Sequence, residues 1–292
     1  MSDLADQGYV YFEPCFVPFE YKGKVITTIH DLSFIIHPEF HPASRVRYLT
    51  KQLEQTVVVS TKIVVDSQAI LEELNQLYPQ AKTKYSVLYL GVSEAFRAYS
   101  KDETDPVLTK LNLTYKGFLL SVATLEPRKN LRRLVEAYKQ LPQNIRQVYP
   151  LVLVGGQGWK NNEFYREVDN SFEQQVIVTG YLSDQELYML YAAAKMFIYP
   201  SLYEGFGLPI IEAMASNTVV VTSNYGAMAE VAQDAALLVD PLSSQAITQG
   251  IEQLLDNPTL SNKLIEKGKQ RVKSFSWSTT VDNLLNLANK EI

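Results

Sequence analysis

Six short apolar runs recur between Phe118 and Val239, each bounded by polar or glycine-containing residues and separated by stretches with helical spacing. They are Phe118–Ala123, Leu151–Val154, Val176–Thr179, Met196–Tyr199, Val219–Thr222 and Ala236–Val239. Such runs are too short for helices and too uniformly apolar for strands with one wet face. Their alternation with helices predicts a doubly wound parallel sheet covered on both sides. Ligands of such sheets sit beyond the carboxyl ends of the strands, so the loops that follow these runs are where chemistry belongs.

The most informative loop follows Met196–Tyr199. It turns through Gly205 and Gly207 into a helix with Pro209 near its first position, where a missing N–H does no harm. A helix start there offers N–H groups and partial positive charge to phosphate. Glu204 lies in the loop, and Glu212 lies about a turn inside the helix, placed to accept hydrogen bonds from sugar hydroxyls. Arg128 and Lys129 follow Phe118–Ala123. A guanidinium that forks onto phosphate oxygens beside a mobile ammonium suits a diphosphate. Asn130 then reads as the cap of a helix bearing Leu134, Ala137 and Leu141.

Weaker signals accompany these. Gly155-Gly156-Gln157-Gly158-Trp159 permits a close backbone approach or a plain tight turn. Gly180-Tyr181-Leu182-Ser183-Asp184 ends the third run, with Ser183 or Asp184 capping the next helix and Tyr181 either packing in the core or meeting a nucleotide. Thr222-Ser223-Asn224 is ordinary strand-end chemistry.

Upstream, Lys24–Ile29 is a β-branched run that predicts a buried parallel strand, and His30-Asp31 follows at once. A histidine there points into a ligand crevice, with Asp31 or a nearby backbone group fixing its tautomer. Val46, Leu49, Leu53 and Val57 predict one buried face of a helix from Ala43. A strand Ile63–Asp66, a helix Gln68–Tyr78 capped by Ser67, and a strand Tyr85–Leu90 come next. Residues 1–21 look irregular, and Val92–Lys116, where period fades and charge accumulates, reads as a linker. From Ser243 the chain is helical, with breaks near Asn257-Pro258 and Phe275–Trp277. Ser276 caps a final helix whose Val281, Leu284, Leu285 and Ala288 should bury one face.

A net charge of −5 and a pI near 5.4 argue against a broad nucleic-acid-binding surface and leave a small-molecule ligand. The single cysteine, Cys15, excludes an intrachain disulfide framework. The start lacks a basic segment followed by a long apolar core, and no run approaches the ~20 apolar residues of a membrane span, so the expected location is cytoplasmic. His37 and His41 read as loop polarity without metal-ligand spacing. No G-x-G-x-x-G follows a strand, which argues against a Rossmann-type oxidoreductase.

The spacing of Glu204 and Glu212 resembles the E-x7-E signature of the retaining nucleotide-sugar glycosyltransferases of family 4. "E-P-R-K-N" at 126–130 is similar to that family's diphosphate-binding segment, and "T-I-H-D-L-S-F…H-P-E" from Thr28 is similar to part of its N-terminal domain. The resemblance implies an α/β GT-B fold of two facing Rossmann-like domains with parallel sheets. It divides this chain into an acceptor-side domain 1–105, a donor domain 106–275 and a crossing helix 276–292. It implies His30 and Glu204 as catalytic residues, and Arg128, Lys129, Glu212, Gly205, Phe206, Gly207, Leu208, Tyr181 and Leu182 as donor-binding residues. The implied activity is retaining transfer of a hexose, mannose from GDP-mannose, to a polysaccharide or lipid-linked glycan, without cofactor or metal. Family members begin with further strand–helix units, and nothing before Lys24 reads as one, so the first domain is expected to be truncated. Self-association or a partner chain would then complete it, and contact with the inner face of a membrane would be peripheral. A non-catalytic sugar-nucleotide-binding protein, or one part of a split transferase, is the competing expectation. After Glu212 the family's glycine turn is replaced by Ala215-Ser216-Asn217, which survives if Asn217 takes a positive φ.

Overall fold

The computed structural model describes residues 2–156 and 175–291, so Gln157, Gly158 and Trp159 of the glycine-rich segment lie outside the described residues. Contacts group the chain into two units. The first comprises Met1–Gly91, Glu204–Phe206 and Phe275–Ile292, and the second Val92–Tyr203 and Gly207–Ser274.

In the first unit β1 (Tyr11–Glu13), β2 (Val25–Ile29), β3 (Lys62–Val65) and β4 (Tyr85–Val87) form a parallel sheet in sequence order. β2 is paired on both sides and buried at all its residues, which explains its unbroken β-branched run. The helix Ala43–Val59 buries Leu53 and Val57, with Val46 and Leu49 half-buried. Ser67 caps Gln68–Leu77 by accepting from the Ile70 N–H. Two expectations fail here. Residues 1–21 are not merely irregular: a helix, Ser2–Asp6, precedes β1. β1 escapes a periodicity reading because three residues show no period. Its pairing with β2 and the Glu13 carboxylate, which accepts from the Tyr11 hydroxyl and the Cys15 N–H, hold it instead. The final helix, Trp277–Glu291, does not bury its apolar positions as a face: Val281 is 50% and Leu285 55% exposed. It is tied down at its start, where Thr280 Oγ1 donates to the Tyr89 carbonyl at 2.6 Å.

In the second unit β5 (Leu119–Val122), β6 (Leu151–Val154), β7 (Val176–Gly180), β8 (Met196–Tyr199), β9 (Val220–Ser223) and β10 (Leu237–Val239) form a parallel sheet ordered β10-β9-β8-β5-β6-β7. The chain runs outward from β5 to β7, then returns to lay β8 on the other side of β5. The junction of β5 and β8 is therefore the switch point of the sheet. Leu119, Leu134, Tyr138, Leu151, Ile198, Val221 and Ile247 belong to the core that supports it. The expected linker carries a helix, Lys101–Leu111, started by a capping box of Ser100 and Glu103. Its charged surface and Pro106 conceal the period, since it buries only Thr104, Val107 and Leu108.

The helix Leu208–Ala215 stops as the sequence requires. Asn217 takes φ +56°, its N–H donates to the Met214 carbonyl, and the Thr218 N–H donates to the Ala213 carbonyl. This is a Schellman ending built on asparagine. Replacing Asn217 by alanine should cost about 1 kcal/mol in urea denaturation, while Asn217→Gly should keep wild-type stability within a few tenths of a kcal/mol. Equal losses in both variants would show that the Asn217 side chain, and not its backbone, is what matters.

Candidate functional site

Loops after β5 and β8 are stitched together at the switch point. The Arg128 carbonyl accepts from the Leu202 N–H at 2.7 Å and from Ser201 Oγ at 3.0 Å. Asn130 Nδ2 donates to the carbonyls of Pro200 and Pro241, at 2.9 and 2.8 Å. Asn130 thus precedes the helix Leu131–Gln140 in the left-handed region without capping it through its side chain, contrary to the sequence reading: the amide is engaged elsewhere. Thr222 and Ser223 hydroxyls donate to the carbonyls of Tyr199 and Ser201, so these strand-end residues brace the same loops.

On this frame the cations are held rather than dangling. Arg128 Nε donates to Glu126 at 2.9 Å and its Nη1 to the Tyr203 carbonyl at 3.2 Å. Lys129 is buried, and its Nζ donates to the Tyr199 hydroxyl at the end of β8. A cation fixed in advance loses less freedom on meeting an anion than a solvated one does. Gly207 supplies φ +104° at the start of Leu208–Ala215, a helix end that carries no side-chain cap.

Glu212, in the second turn of that helix, accepts from the fully buried Tyr191 hydroxyl at 2.8 Å. Burial pushes its carboxyl up to about 7 against the lowering effect of this bond. Tyr191 in turn stands among Phe96 and Phe197, with ring centroids 5.3 and 5.1 Å away. The turn after β7 excludes one of the two alternatives for its tyrosine, core packing. Tyr181 is 83% exposed and is not core, whereas Leu182 is buried and Ser183 forms a capping box with Glu186.

In the first unit His30 follows β2. Its Nδ1 lies 2.8 Å from Asp66 Oδ2 and its Nε2 lies 2.9 Å from the Pro14 carbonyl. Both partners are acceptors, so hydrogen bonds at both ring nitrogens call for two protons, and the ring is held above its ordinary range by the Asp66 bond against the opposing effect of burial. Asp31 does not fix the tautomer: it accepts from the Ser33 N–H and hydroxyl. Glu204 is buried, and the Gly205 carbonyl accepts from Ser67 Oγ at 2.7 Å. A Cβ on Gly205 would fall 1.7 Å from the His30 carbonyl oxygen, so only glycine lets this tripeptide lie against the end of β2. Phe206 spends its ring on Tyr89 and Phe275, with centroids 6.1 and 5.5 Å away. His41 is not loop polarity: it is buried, with Nε2 2.9 Å from Ser33 Oγ.

Asp66, the Pro14 carbonyl and Tyr191 were missed from sequence. Asp66 could have been found: Ile29 pairs with Val65, so His30 and Asp66 leave adjacent parallel strands side by side. Tyr191 left no such signal, since its position on the helix Asp184–Ala193 reads as core.

Among the described residues, no helix is long and apolar enough to cross a membrane.

A half-buried acid raised to about 7 opposes folding once it ionises. The folded state holds a proton that the unfolded chain releases above about 4.5, so this contribution to stability falls as pH rises from near 4.5 through 7. Glu212→Gln should therefore leave stability unchanged at pH 4.5 and raise it by about 2–3 kcal/mol at pH 8.5, read by denaturant titration at both values. A gain equal at both pH values would contradict the burial of the charge.

Residues 109–271 match the family described as glycosyl transferases, group 1. Over 281 residues the chain is 37% identical to the O-antigen chain mannosyltransferase B of Escherichia coli, spanning 96% of this chain and 74% of that protein. The crystal structure of WaaG, a glycosyltransferase involved in lipopolysaccharide biosynthesis, superposes with a TM-score of 0.79 at 17% identity, covering 98% of this chain and 80% of that one. Alr3699/HepE of Anabaena, solved in complex with UDP and glucose, superposes with a TM-score of 0.77 at 18% identity over 92% and 72% of the two chains. These neighbours share the GT-B fold expected from sequence, and with the family match and the Escherichia coli relative they establish that the chain belongs to the group 1 glycosyl transferases.

Proposed function

We propose that this glycosyltransferase moves mannose from GDP-mannose, with retention at the anomeric carbon, onto a growing polysaccharide or lipid-linked glycan. One observation carries the reading: a pre-positioned cation pair and an acid stand on the segments that follow the two strands at the switch point of the second unit's sheet. Arg128 and Lys129 take up negative charge that develops on the nucleoside diphosphate as the glycosidic C–O bond breaks, a step that two fixed cations serve without a metal. Glu212 accepts from the ribose hydroxyls, and Gly207 and Leu208 present the helix start to phosphate. The exposed Tyr181 ring, beside Leu182, offers a face to the base. Gly205 and Phe206 hold Glu204 in place, and Glu204 and His30 act on the sugar and the acceptor. Identity to an O-antigen mannosyltransferase supports mannose, and a neighbour solved with UDP supports a nucleotide on this fold. A lipid-linked acceptor would put the reaction at the cytoplasmic face of a membrane, with peripheral contact only.

Arg128→Ala and Lys129→Ala should each weaken GDP binding by about 1.5–3 kcal/mol in titration calorimetry, the range for a lost charge-assisted hydrogen bond. A parallel titration with UDP assigns the base. Unchanged affinity in both variants would leave Arg128 and Lys129 as braces of the loops and remove the diphosphate assignment.

A second reading, that another copy or a partner chain pairs with the first unit's sheet, is favoured by β1. It lies at a sheet edge, near the exposed aromatics Tyr9, Phe12 and the 74% exposed Phe19. Light scattering should show concentration-dependent association that Phe12→Lys suppresses; a monomer at every concentration would end this reading.

A further inference from the structure

Tyr191 is a fully buried side chain whose hydroxyl has one protein partner in the structure, Glu212 Oε2 at 2.8 Å. Its ring is met by aromatic neighbours, Phe96 and Phe197, with centroids 5.3 and 5.1 Å away. Burying a phenol without a partner is costly, and a pure packing role at this position would be filled by phenylalanine. Glu212 Oε1 has no partner among the described residues. The carboxylate is thus held by one oxygen and left open at the other. We propose that Tyr191 is a positioning residue for Glu212: its hydroxyl fixes the carboxylate in one orientation with Oε1 available to the nucleotide ribose. This rests on the reading that Glu212 receives the ribose.

The groups that face Glu212 are few. Tyr191 and Tyr188 come from the helix Asp184–Ala193, and Tyr199, at the end of β8, stands by Tyr191. Burial and the Tyr191 bond are the influences on the Glu212 carboxyl, with no cation among the described residues acting on it. Removing the one donor therefore removes the one influence that favours the charged form. A neutral carboxyl keeps only part of its acceptor capacity toward the two ribose hydroxyls.

The test is GDP binding by titration calorimetry from pH 5.5 to 8.5 for the wild type, Tyr191→Phe and Glu212→Gln. The Glu212→Gln profile records the titration of the GDP phosphates, so the difference from it isolates Glu212. Wild-type affinity relative to that profile should rise through about pH 7, the value to which burial brings Glu212. In Tyr191→Phe the midpoint should move up by about one pH unit, with affinity down roughly fivefold at pH 7 and restored at pH 8.5. The carboxyl carbon resonance of Glu212 in labelled protein should show the same displacement without ligand, and its spectrum reports whether Tyr191→Phe is folded. Coincident midpoints in wild type and Tyr191→Phe, with Glu212→Gln still weakened, would overturn the role of Tyr191 alone. Glu212→Gln binding GDP as wild type does at every pH would remove Glu212 from the ribose and this inference with it.

Discussion

The carbonyl oxygen of Arg128 is the fixed point of the second unit. Two donors from the loop after β8, the Leu202 N–H and the Ser201 hydroxyl, close on it, and Ser201 in turn receives Ser223 from the end of β9. Three strand ends are thereby locked into one surface. Parallel sheets leave their carboxyl ends as open loops, and a ligand that bridges two such loops needs them in constant register. A network in which every hydroxyl already has a carbonyl partner gives that constancy, because releasing any one group leaves a buried polar atom unpaired.

The same bracing explains how charged residues are tolerated so near the core. Lys129 is buried but has the Tyr199 hydroxyl within 2.9 Å and the Tyr199 ring at 5.5 Å. Glu212 has the Tyr191 hydroxyl, and the Tyr191 and Tyr199 rings both pack on Phe197. Aromatic rings fill the space that water would otherwise take, and their hydroxyls supply the polar contacts the charges need. In the first unit the device differs: His30 and Asp66 Oδ2 pair from adjacent strand ends, and the Pro14 carbonyl takes the remaining ring nitrogen.

What the sequence made legible follows this division. Strand runs stand out because a buried parallel strand has to be apolar on both faces, and all six runs after Phe118 become strands within a residue or two. Asn217 was readable because few residues other than glycine accept its φ. Asp66 and Tyr191 were not read, for opposite reasons. Asp66 needs the register of two strands 36 residues apart. Tyr191 is a polar atom on an otherwise apolar helix face, and no pattern separates it from a packed ring. β1 and the helix Lys101–Leu111 were missed because tertiary pairing and a capping box, rather than period, hold them.

Local rules are broken at several of the residues assigned to the site and beside them. Gly207 and Asn130 hold positive φ, Gly205 admits no side chain, Glu212 is an acid raised to about 7, and Lys129 is a buried cation. Each departure lowers stability on its own, and a sequence optimised for folding alone would remove it. Asn257 and Ser243 follow the capping rules, each accepting from the backbone N–H three residues on. Departures of the same kind also occur away from these residues: Asn112, Lys116 and Asn217 hold positive φ, and burial brings the Lys116 ammonium down to about 8, so strain and buried charge point to a site only where they coincide with groups suited to a ligand.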